Sequence, residues 1–70
     1  MKTNIDRLKG IMRERGKTFE GTAKVIGVYR DTFTRRMKSK GTQFTIAEIH
    51  AMADYIPLTV EEIQEIFFKK

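Results

Sequence analysis

Two stretches of this chain spell out the start of a helix twice over. In Phe44-Thr45-Ile46-Ala47-Glu48-Ile49, Thr45 and Glu48 have the spacing of a capping box, set inside an apolar pair, Phe44 and Ile49, with the spacing of a hydrophobic staple. Leu58-Thr59-Val60-Glu61-Glu62-Ile63 repeats both devices, with Thr59 and Glu62 as the box and Leu58 and Ile63 as the staple. Pro57 divides the two helices, because the residue before proline is pushed out of helical dihedrals. Met52, Ala53 and Ile56 continue the first apolar stripe, and Ile66 and Phe67 continue the second.

Helical spacing extends upstream. Asn4 can cap a first helix whose stripe is Ile5, Leu8, Ile11 and Met12, ending before Gly16. Thr18 is the next N-cap, and Phe19, Thr22, Ala23 and Ile26 form the stripe of a short second helix that stops at Gly27. Val28 and Phe33 then bracket Tyr29 at staple spacing, with Met37 one turn on, which predicts a third helix from Arg30 to Lys38. Tyr29 is a poor capping residue, while Asp31 in the first turn suits the helix dipole. Ser39-Lys40-Gly41-Thr42-Gln43 reads as a loop. The expectation is an all-α fold, one domain over residues 1–70, with five helices and no strand.

Charge divides unevenly along the chain. Residues 1–40 hold twelve Lys or Arg against four Asp or Glu, whereas residues 41–70 hold two against five. Clustered cations attract a polyanion by displacing its counterions, and nucleic acid is the commonest one in a cytoplasm. A basic surface that only confers solubility is the alternative.

Several classes of function find no support. Cysteine is absent and His50 is the single histidine, so disulfides, thiol catalysis and Cys- or His-built metal sites are not expected. Glu61, Glu62 and Glu65 fall in a capping turn and on a solvated face, with no partner for acid–base chemistry. No run is apolar enough for a membrane span or a secretory signal, and a soluble cytoplasmic protein is expected, with no cofactor and no small-molecule substrate.

The second and third helices with the turn between them have the make-up of a helix-turn-helix: a small residue at the crossing (Ala23), glycine in the turn (Gly27) and an apolar anchor (Phe33). The stretch from Thr18 to Met37, with its Ala23, Gly27, Val28 and Phe33 spacing, resembles the phage repressor and Cro family of helix-turn-helix regulators (Cro/C1 or XRE type). The two downstream helices look like the fourth and fifth helices of small phage Cro-like proteins. The resemblance implies a compact five-helix lambda-repressor-like domain, a transcriptional regulator of phage or prophage origin, and no enzymatic activity. Phe19 departs from the family, which usually has a glutamine there that touches a phosphate and braces the recognition helix. Leucine is common in the family at the position of Thr22, and a small capping residue at that of Tyr29.

The resemblance implies that Arg30, Asp31 and Thr34 face base edges, with Tyr29 nearby. Arginine can grip guanine bidentately, aspartate can accept from cytosine, and threonine can meet a thymine methyl. Asp31 and Arg35, four apart, can alternatively bridge on the helix surface. Arg35, Arg36, Lys38 and Lys40 are expected to hold phosphates, with Lys17 and Lys24 joining them from the second helix. A double-stranded DNA operator is the expected partner. One short helix reads few base pairs, so a homodimer on a two-fold site is expected, with a ring of Ile66-Phe67-Phe68 either at the dimer contact or in the core. The competing reading is a helix-turn-helix scaffold used to bind protein, as an antitoxin or host-factor inhibitor. Its exposed third-helix face would then be apolar or acidic rather than basic.

Overall fold

A computed structural model describes residues 3–39 and 43–68. Its order is α1 (Ile5–Glu14), α2 (Phe19–Ile26), α3 (Arg30–Lys38), α4 (Ile46–Tyr55) and α5 (Val60–Ile63), the last running on into π-helical turns over Gln64–Phe68. The fold is all-helical, with five α-helices and no strand among the described residues. None of these helices is long and apolar enough to cross a membrane.

The local signals do what their chemistry requires. Asn4, Thr18, Thr45 and Thr59 each accept a hydrogen bond from a backbone N–H of the first turn they precede, and both capping boxes close, with Glu48 and Glu62 accepting from the N–H of Thr45 and Thr59 at 2.9 Å. Tyr29 makes no such bond, so α3 begins without a side-chain cap.

Glycine ends the first two helices. Gly16 and Gly27 take φ of 69° and 81°, where a Cβ would be strained. At Gly27 the N–H of Val28 reaches the carbonyl of Ala23 (3.0 Å) and that of Gly27 reaches Lys24 (3.2 Å), which are the paired bonds of a Schellman ending. This reversal lays α3 across α2.

Leu8, Ile11, Met12, Ala23, Phe33, Met37, Phe44, Ile49, Met52, Ile56, Ile66 and Phe67 form one core, so every helical stripe read from the sequence contributes to it. Thr22 is fully buried and satisfies its hydroxyl by donating to the Thr18 carbonyl at 2.8 Å. The π-helical turns bury Ile66 and Phe67 and leave Phe68 partly exposed. There the N–H of Asn4 donates to the Ile66 carbonyl at 2.6 Å, joining the start of α1 to these turns. A radius of gyration of 10.7 Å is that of one packed body of this length, about 11 Å.

Candidate nucleic-acid interface

The α3 sequence sorts its side chains by period. Phe33 and Met37 are buried, whereas Arg30, Asp31, Arg35 and Lys38 are exposed and Thr34 is partly exposed. Burial of one stripe forces the other outward, since residues three and four apart share a face. Phe33 is held from two sides, by the edge of Phe19 (centroids 5.4 Å apart, planes at 82°) and by the tilted ring of Phe44 at 6.2 Å. These ring contacts anchor α3 to α2 and to the segment before α4.

At the turn Tyr29 is 86% exposed, and its ring, with Glu20, Lys24, Gly27, Val28 and Arg30, lines an open groove between α2 and α3. Lys24 and Arg30 bring two cations to this groove. A second concavity is lined by Glu61, Gln64, Glu65 and Phe68 and carries two carboxylates, of which Glu65 is paired with Arg7; the α2–α3 groove carries two cations against the one carboxylate of Glu20.

The expected base-facing residues thus lie close together in the chain, Tyr29 just before α3, Arg30 and Asp31 in its first turn and Thr34 one turn along. Asp31 enters no ion pair among the described residues. The surface bridge to Arg35 does not form, and Arg35 instead makes a long contact with the Thr32 hydroxyl at 3.4 Å. Both side chains are exposed.

The expected phosphate contacts divide. Lys24, Arg35 and Lys38 are exposed. Lys17, two residues before α2, is partly buried, with its Nζ 4.7 Å above the Tyr55 ring of α4. Lys40 lies outside the described residues.

Arg36 departs from the expectation of an outward cation. Its Nη1 and Nη2 donate to the two Glu48 oxygens at 3.0 Å each, Nη2 also donates to the Gln43 carbonyl at 2.9 Å, and its Cζ lies 4.3 Å from the Phe44 centroid. This bidentate pairing, with the Thr45 N–H as a further donor, holds the Glu48 carboxyl below its ordinary range. The reason is geometric: Arg36 is next to Met37 in the buried stripe, and its stem leads toward α4.

Two contributors were missed from sequence. Tyr55 supplies the platform under Lys17, and Gly21 makes room for it, since a Cβ there would overlap the Tyr55 hydroxyl and stand 3.1 Å from its Cζ. The signal was a glycine inside a helical pattern, which costs about 1 kcal/mol against alanine unless packing requires it. Phe19, placed where the resembling family has glutamine, turns its ring onto Phe33 and so braces α3 from within.

Among the described residues no cluster of His, Cys, Asp and Glu could hold a metal ion. No family model, curated protein or solved structure matches the chain.

Proposed function

We propose that this protein is a sequence-specific double-stranded DNA-binding regulator of the repressor and Cro type, with α2 and α3 as its helix-turn-helix and α3 as the helix that enters a major groove. The observation that carries the reading is the outward face of α3: Arg30, Asp31 and Thr34 stand exposed or partly exposed above a buried Phe33 and Met37, in the basic half of the chain. A major groove admits a helix and presents a distinct donor and acceptor pattern for each base pair. Arg30 grips guanine, Thr34 meets a thymine methyl, and Asp31, repelled by phosphates, either accepts from cytosine or orients Arg30. Lys17, Lys24, Arg35 and Lys38 hold the backbone and set register.

A helix of nine residues reads only a few base pairs, so the regulator acts as a homodimer on two half-sites. A groove of mixed lining, with Thr3 and Gln43 beside Phe44, Ile46, Ile49, Phe67 and Phe68, supports a contact between copies, since Ile46 is 61% and Phe68 39% exposed. The basic character of the α3 face weighs against its use as a protein-docking surface. Selection of sites from random duplex DNA tests the reading: enrichment of a short two-fold sequence is the expected result, and recovery of unenriched DNA contradicts it. Sedimentation that gives only monomer, free and with the enriched duplex, contradicts the dimer.

A further inference from the structure

Arg36 lies on α3 among residues that face outward, yet its guanidinium is engaged with α4. It holds both Glu48 oxygens at 3.0 Å and the Gln43 carbonyl at 2.9 Å, and it covers the Phe44 ring, which packs in turn on Phe33. The side chains of Arg36 and Glu48 are 25% and 17% exposed. One residue therefore ties the last turn of α3 to the first turn of α4 and bridges the connection between them.

We infer that Arg36 is a positioning residue, which fixes the angle at which α3 presents Arg30, Asp31 and Thr34, and that it holds no phosphate. The inference rests on the DNA-binding reading. To reach a phosphate, Arg36 would have to abandon a bidentate partner and leave the half-buried Glu48 carboxylate without it. As a pair the two groups are also close to neutral, so they release few counterions. The other cations of this region have flexible stems and tolerate a small tilt of α3. Hydrogen bonds to base edges do not, because they weaken steeply as their angle departs from linear.

The two roles leave opposite signatures. Loss of a phosphate contact weakens binding to all duplexes alike and lowers the slope of log affinity against log salt by about one. Loss of a positioning group weakens the selected site relative to random duplex and leaves that slope unchanged. Lysine separates the roles again, since it keeps the charge but not the planar fork.

Equilibrium binding of the selected and a random duplex across a salt series, for wild type, Arg36→Ala, Arg36→Lys, Glu48→Gln and Arg35→Ala, tests the inference. Glutamine at 48 keeps the acceptor of the Thr45 capping box, and Arg36→Lys keeps the stem and the charge, so both variants fold, as far-UV circular dichroism checks. The expected result is about a tenfold loss of preference for the selected site, the scale of one base contact, in all three Arg36 and Glu48 variants with the wild-type salt slope. Arg35→Ala lowers the slope. Wild-type behaviour of Arg36→Lys together with a slope lowered by Arg36→Ala identifies a phosphate contact and overturns the inference. If wild type itself binds neither duplex, the DNA-binding reading fails first, and that result is distinct from any difference among variants.

Discussion

The Arg15 guanidinium and the Glu62 carboxylate face each other through two parallel hydrogen bonds of 2.7 Å, across 47 residues of chain. Arg15 follows the last turn of α1 and also donates to the Pro57 carbonyl at 2.7 Å, while Glu62 is the closing residue of the α5 capping box. The same arrangement joins Arg36 to Glu48 at the α4 box. In both, a glutamate that closes a helix start locally is used a second time to dock a distant element. Arginine suits this role because its fork matches a carboxylate with two aligned donors.

Acid should loosen this docking. The Arg15 pair, aided by the Thr59 N–H, lowers the Glu62 carboxyl from its ordinary 4.5 to about 2, and the Arg36 pair lowers the Glu48 carboxyl in the same direction. A carboxyl lowered by folding contributes stability that is fully present above its unfolded value and is lost as pH falls through its folded one. Thermal unfolding followed by circular dichroism should therefore show a midpoint that is steady above about pH 5 and falls toward pH 2. Glu62→Gln should flatten part of that fall; a slope equal to wild type would remove Glu62 from the account.

The glycines of α1 and α2 should respond in opposite ways. Gly10 is exposed in α1 and an added Cβ would touch nothing within 4 Å, so Gly10→Ala should stabilise by about 0.5–1 kcal/mol through helix propensity. At Gly21 the same methyl displaces Tyr55 and the platform under Lys17. Gly21→Ala should lower the melting temperature, and a gain equal to that of Gly10→Ala would show the Tyr55 ring to be free to move.

Phe33 should be the least replaceable side chain of the interface region. It is fully buried and meets Phe19 and Phe44, and truncation of a buried phenylalanine costs about 3–5 kcal/mol. Small domains have a total of roughly 5 kcal/mol or little more, so Phe33→Ala should keep only about 0–2 kcal/mol, and urea titration should move its midpoint close to zero denaturant. A midpoint close to wild type would show that α3 is not anchored by this ring.

What the sequence disclosed follows from the range of each interaction. The caps at Asn4, Thr18, Thr45 and Thr59, and the glycine endings at Gly16 and Gly27, act over three to five residues, and each is found where its spacing predicts. The outward set of α3 was legible for the same reason, since Phe33 and Met37 define the inward stripe. Arg36 and Glu48 are 12 residues apart and Arg15 and Glu62 are 47 apart, so no helical period relates them. Arg36 read as one more cation in a basic run because its partner lies on another helix. The π-helical turns of Gln64–Phe68 had no local signal either, and the stripe predicted only that Ile66 and Phe67 face inward.

The central claim is that α3 reads base edges, and Arg30 tests it most directly. It is exposed in the first turn, beside the groove between α2 and α3. The measurement is equilibrium binding of wild type and Arg30→Ala to the selected duplex and to a set of duplexes in which each base pair is changed in turn. Arg30→Ala should lose about 1–3 kcal/mol on the selected site and become indifferent to the base at one position of each half-site, with other positions read as before. Equal losses on every duplex, with discrimination intact at all positions, would contradict this.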